Sequence, residues 1–226
     1  MMKTFTSKLL YVCVALLLCG CERSYLRESF VLTYKTIDGL GNVEIQKDAH
    51  NGLYVLLPQT IYASSSSYYV NDIIGERYEE LSGKYGDVNF NRWVYEAQIR
   101  ADSWAFPFYT FTVVSDADFD EEHPAGAPLD DVVDIKYYTY RLYIENGYRH
   151  TDERAWTSND YSGDWVVKRL SDLAPEDAVF MDPTEPIGLS FVSTPTLNRQ
   201  HHMTVTVWLE TCQPYTFEFD MDFVAM

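Results

Sequence analysis

The clearest pattern of apolar and polar positions lies near the end of the chain. From Met203 to Thr211, Met203, Val205, Val207 and Leu209 alternate with Thr204, Thr206, Trp208 and Glu210. After a turn at Gln213-Pro214 the alternation resumes, with Tyr215, Phe217, Phe219, Met221 and Phe223 set against Thr216, Glu218, Asp220 and Asp222. A period of two marks a strand with one buried face, and two such runs across a short break predict a β-hairpin. The same period recurs upstream. Trp93 to Ala101 sets Trp93, Tyr95, Ala97, Ile99 and Ala101 against Glu96, Gln98 and Arg100. Phe108 to Val114 repeats the signal, and Asp134 to Ile144 predicts a longer aromatic strand ended by Glu145-Asn146-Gly147. Phe30 to Ile37 alternates Phe30, Leu32, Tyr34 and Thr36 with Val31, Thr33, Lys35 and Ile37, and Asp38-Gly39-Leu40-Gly41-Asn42 follows as turn chemistry.

Two segments depart from the strand pattern. Asn71-Asp72 predicts a cap for a short helix carrying Ile73, Ile74, Arg77, Tyr78 and Leu81, and Leu129 to Val133 suggests one more helical turn. Ser64 to Ser67 reads as an exposed polar loop. Strands at this spacing with turns between them predict an all-β, antiparallel β-sandwich with one or two short helices, and not a succession of βαβ units.

The N-terminus carries a different signal. Lys3 and Lys8 precede a nearly continuous apolar run from Leu9 to Leu18. That run is shorter than the roughly 20 residues that cross a bilayer, so it reads as a signal peptide. It closes on Leu18-Cys19-Gly20-Cys21, which resembles the site where lipoprotein signal peptidase cuts before an acylated cysteine. Cys21 is therefore the expected lipidation site. The expected organisation is a lipoprotein signal peptide over 1–20, a lipidated tether over 21–29 and a single β-sandwich domain over 30–226.

Composition narrows the partners. The 18 Tyr, 12 Phe and 5 Trp are the stock of half-buried pleated surfaces. The formal charge is −17, and loss of residues 1–20, which carry Lys3 and Lys8 and no acid, makes it more negative. Such a chain does not bind nucleic acid through phosphate neutralisation. Anionic headgroups repel it, so membrane attachment falls to the lipid anchor. Of the four cysteines, Cys13 and Cys19 leave with the signal and Cys21 is acylated, so Cys212 stands alone as a small hydrophobe and stability rests on the core.

Candidate chemistry is sparse. Asp116, Asp118 and Asp120 alternate as in the start of a calcium loop, because hard cations favour several carboxylate oxygens on a tight turn. The EF-hand pattern then fails, with Glu121 at the turn-glycine position and Ala127 at the position of the bidentate Glu. The preferred reading of Asp116 to Pro124 is a solvated loop. His201 and His202 are adjacent on a strand and point to opposite faces, so they do not chelate one metal, and His50, His123 and His150 lack liganding spacing. Nucleophile-elbow, zincin and phosphate-loop motifs are absent, and no cofactor is expected. Aromatic side chains remain. Tyr138, Tyr140, Trp156 and Trp165 are the candidate ligand-binding residues, as an amphipathic platform for a sugar or a protein. The alternative is that such rings fill the core and its rim.

The lipobox, the segment Ser115-Asp116-Ala117-Asp118-Phe119-Asp120 running into His123-Pro124-Ala125-Gly126, and the terminal Met203–Phe223 hairpin resemble an uncharacterised family of lipoproteins from Bacteroidetes. The resemblance spans most of the chain beyond the signal and implies an immunoglobulin-like β-sandwich at the cell envelope. It carries over no catalytic or binding residues. The polar stretch Asn71–Asn91 departs from it and leaves the strand order there open. The expectation is a lipid-anchored, outer-membrane or envelope protein without enzyme activity. It would be a binding or assembly module for another envelope protein, or alternatively a glycan-binding surface module.

Overall fold

The structure, a computed structural model, describes residues 29–48, 51–65, 72–90, 101–149, 163–210 and 212–223. The signal peptide, Cys21, the tether up to residue 28, Asn71, the run from Trp93 to Arg100, and Trp156 lie outside the described residues.

The terminal hairpin forms as the alternation predicts. Strands β10 (Gln200–Leu209) and β11 (Tyr215–Asp222) pair with Val205 opposite Phe217 and Met203 opposite Phe219. The other edge of β10 takes β6 (Phe108–Ser115), with Val205 opposite Val113 and Val207 opposite Phe111. One face of this antiparallel sheet, in the order β11-β10-β6, is thus a block of buried Val, Phe and Met side chains. Burying each contributes about 1.5–3 kcal/mol relative to exposure.

A second antiparallel sheet has five strands, β2 (Glu44–Lys47), β3 (Gly52–Leu56), β9 (Ile187–Phe191), β7 (Val133–Thr139) and β8 (Asp164–Arg169), in the order β2-β3-β9-β7-β8. A third sheet, β4-β1-β5, joins β1 (Val31–Ile37) to β4 (Gln59–Ser64) and β5 (Ala101–Trp104). The inner faces of all three share one buried hydrophobic cluster. The fold is therefore mostly β and mostly antiparallel. The exception is β5, which runs parallel to β1 where an antiparallel arrangement was expected. A parallel neighbour needs a long crossover, and here, among the described residues, three strands and a helix lie between the two in sequence.

That helix, α1 (Asp72–Tyr85), is longer than the short element expected. It buries Tyr78 and Leu81, and the Tyr78 hydroxyl donates to Val31 O at 2.7 Å. It stops at Gly86, whose φ of +76° suits the left-handed position that glycine tolerates. The Gly86 and Asp87 amides then bond back to Gly83 and Ser82.

Four readings need correction. Ser64, expected in an exposed polar loop, is the buried last residue of β4. The strand expected over Asp134–Ile144 ends at Thr139, and Arg141–Glu145 form a short helix, α2. The cause is tertiary. The Tyr140 amide donates to Phe180 O at 2.9 Å and its hydroxyl to Asp182 at 2.5 Å, which turns the chain out of the sheet. Leu129–Val133 is a hydrogen-bonded turn leading into β7, closed by Val132 N–H on Leu129 O, and not a helical turn. In β1 the alternation slips: Thr33 and Tyr34 are both out of water, between a register shift against β5 at Leu32 and one against β4 at Tyr34–Lys35.

Candidate functional site

The strands of the five-stranded sheet send alternate side chains outward, and their register gathers the outward ones. In β7, Val133, Ile135 and Tyr137 are buried, so Lys136 and Tyr138 face away from the core. Across the sheet, Tyr54 pairs with Gly188, Gly188 with Lys136, and Lys136 with Val167. One step along, Tyr138 pairs with Trp165. The strip is well exposed for its chemistry, with Tyr54 at 38%, Trp165 at 46% and Val167 at 60% of full exposure. From β3 to β8 it crosses three strand spacings, about 14 Å.

Contacts along the strip are continuous. A side chain on Gly188 would place its Cβ 3.3 Å from Lys136 Cβ and 3.5 Å from Tyr54 Cε1, so the Tyr54 ring and the Lys136 stem lie over bare backbone there. The Lys136 ammonium sits 4.8 Å from the Trp165 ring centroid. Trp165 meets Tyr138 edge to face at 5.4 Å, and Tyr138 meets Tyr140 in the same way at 5.4 Å. Burial, reinforced by the charges of Asp164, Asp182 and Glu185, pushes the Tyr138 hydroxyl up to about 12, so it stays protonated and remains a donor at neutral pH.

Of the sequence-derived ring candidates, the sheet brings Tyr138 and Trp165 together. Tyr140 is buried and occupied by Asp182, so it supports the platform from below and takes no part in its surface. Sequence reasoning missed Tyr54, Lys136 and Gly188. The alternation of β3 already pointed Tyr54 outward, but its pairing with β9 has no local signature.

The acidic loop is held by its own carboxylates. Asp116 accepts the His202 amide at 2.9 Å, and Asp118 accepts the Ala125 amide at 2.8 Å. One oxygen of Asp120 accepts the amides of Glu122 and His123 and the His123 ring Nδ1 at 2.7 Å. The other ring nitrogen of His123 lies 2.9 Å from Asp131. Ring burial opposes a charge on His123, but the two carboxylate hydrogen bonds outweigh it and raise its pKa above the ordinary value. Among the described residues no three His, Cys, Asp or Glu side chains converge as a metal-holding group.

His201 and His202 do point to opposite faces. His202 is exposed and lies between Asp220 at 2.8 Å and Glu218 at 3.2 Å. His201 is buried, with Nδ1 2.7 Å from Ser115 Oγ and Nε2 2.9 Å from Asn198 O. A Ser–His hydrogen bond of this kind activates a hydroxyl when substrate reaches it. Here Ser115 is 4% and His201 3% exposed, and Ser115 Oγ also accepts the Ala117 amide. The pair joins β6 to β10. Cys212 is free and half-buried, beside Thr36 Oγ1.

No protein-family model matches the chain, and neither a curated protein nor a solved structure does.

Proposed function

We propose that this chain is a lipid-anchored cell-envelope protein acting as a non-catalytic binding module, with the outward face of β3-β9-β7-β8 as its binding face. The observation that carries the reading is the strip formed by Tyr54, Lys136, Tyr138, Trp165 and Val167. Singly scattered apolar residues are ordinary on a surface, whereas contiguous rings mark interaction sites. Tyr and Trp also dominate binding hot spots, since they bring large area at little entropic cost. The groups of the strip stack and donate hydrogen bonds, and none of them is set as a nucleophile against a base.

The envelope address rests on Leu18-Cys19-Gly20-Cys21 after the short apolar run. The proposed display is an immunoglobulin-like β-sandwich of the Bacteroidetes lipoprotein kind. Its support is that the β11-β10-β6 sheet and the five-stranded sheet are antiparallel and share one buried cluster.

Hydroxyl-radical footprinting of intact cells against purified protein tests the binding face without naming the ligand. Trp165 and Tyr54 should be protected in cells, while Tyr109 on β6, 66% exposed, stays reactive. Equal oxidation of Trp165 in both samples overturns the assignment. Metabolic labelling with a fatty acid should mark the wild type and not Cys21→Ser, and label that survives the substitution overturns the anchor.

A further inference from the structure

We infer that the strip takes a neutral polysaccharide, with pyranose rings stacked on Tyr54 and Trp165. The inference rests on the outward face of β3-β9-β7-β8 being the binding face. One side of a pyranose ring is a plate of carbon-bound hydrogens, slightly electropositive, with hydroxyls around its edge. Its complement is an electron-rich aromatic face flanked by polar groups.

The strip has that form. Tyr54 covers Gly188 at one end, Trp165 stands at the other, and the Lys136 stem fills the space between them. The run of about 14 Å set by three strand spacings accommodates successive rings of a chain better than one small ligand. Polar groups border it. Gln46 lies opposite Tyr54 on β2, and the charges of Asp164 and Glu185 act on the Tyr138 hydroxyl. Carboxylates beside a stacked sugar accept hydrogen bonds from its hydroxyls. The Lys136 ammonium lies over the Trp165 ring and forms no ion pair among the described residues.

Charge selects among sugars. A formal charge of −17 repels sulfated and uronate polymers through the field of the whole molecule. The strip is also narrow for a protein partner, whose interface normally buries about 800 Å² on each side. The exposed Tyr109 and the half-buried Trp208 on the β11-β10-β6 sheet, with ring centroids 4.3 Å apart, lack this extension and serve as the comparison.

The full chain in a zwitterionic detergent is run through native gels containing starch, mixed-linkage β-glucan, xylan or mannan, with polygalacturonate and heparin as polyanions. At least one neutral polymer should retard the wild type, and neither polyanion should. Trp165→Ala and Tyr54→Ala should each weaken retention about tenfold or more, as removal of a central ring does at a hot spot. Tyr109→Ala should leave it unchanged, and Trp165→Phe should keep most of it. Because Trp165 sits on an exposed edge strand, its alanine variant is expected to fold, and its thermal midpoint checks this. Absence of retention on every neutral polymer, or equal retention of folded Trp165→Ala and wild type, overturns the inference. If Trp165 is nevertheless protected on cells, the binding face stands and the sugar falls. If it is not protected either, both fall.

Discussion

The carboxylate of Asp87 accepts the backbone N–H of Phe30 at 2.8 Å, which ties the loop after α1 to the residue that precedes β1. Its second oxygen accepts the Val31 amide at 2.8 Å, and the Tyr148 hydroxyl donates to the first at 2.8 Å. The side chain is fully buried. One acid thus fixes the point where the proposed tether enters the domain.

Asp87→Ala should destabilise the domain strongly, because it strands two buried amides and a hydroxyl. Each stranded group costs about 1–3 kcal/mol. Asp87→Asn retains one acceptor oxygen and should cost less. Urea denaturation of both variants checks the order, and equal losses would show that the oxygen count is not what matters.

The terminal hairpin should behave as part of the folding core. Phe217 is buried opposite Val205, so Phe217→Ala should cost on the order of 3–5 kcal/mol, cavity included. Thr206 faces the other way and is half-buried opposite Thr216, so Thr206→Ala should cost under about 1 kcal/mol. Similar small losses in chemical denaturation would make the hairpin a peripheral arm.

Stability should fall on the alkaline side through His123. Its folded pKa is raised above the unfolded value of about 6.5. Its contribution is therefore complete below that unfolded value and is lost as pH rises through the folded one. Asp120 works in the opposite sense. Partial burial acts against its ionisation, yet hydrogen bonds from His123 and Glu122 hold its carboxyl below the ordinary range, so its contribution is lost only as pH falls through that lowered value. Denaturation midpoints at about pH 5.5 and 8 should differ more for wild type than for His123→Gln. The exposed His202 has the same direction of shift, from Asp220 first and then Glu218, so the comparison is made in a His202→Gln background at moderate salt.

Calcium should leave the thermal midpoint unchanged. Asp118 and Asp120 already hold loop amides, and Asp116 holds the His202 amide of β10. A ligand that binds only the folded state raises stability by mass action. A calcium-dependent rise in midpoint, abolished by Asp118→Asn, would show that the loop rearranges to bind the ion.

Strands β1, β6, β10, β11 and the start of β7 were legible because alternation is a local property, whereas β2, β3, β4, β8 and β9 are too short or too irregular in pattern to have been read. Met203–Phe223 carries its faces and its register together, since a short turn fixes which residues meet. The helix after Asn71 was equally legible from Tyr78 and Leu81, one turn apart on one face. The break at Tyr140 was not. Nothing in Asp134–Ile144 announces it, because the groups that bend the chain, Phe180 O and the Asp182 carboxylate, lie about forty residues further on. His123 looked isolated for the same reason, its second partner Asp131 arriving only through the fold of the loop.

By itself, then, the chain determined a mostly β domain, an acidic charge, the terminal hairpin, and Tyr138 and Trp165 as candidate rings, without saying which faces of their strands turn outward. Tertiary structure alone decided that β5 lies parallel to β1, and that Tyr54, Gly188 and Lys136 complete a strip with those two rings. The physical reason is that side-chain direction follows from the local backbone, one residue to the next. Which strands become neighbours is settled by long loop closures and by the burial of faces drawn from distant segments, and neither leaves a periodic mark in the sequence.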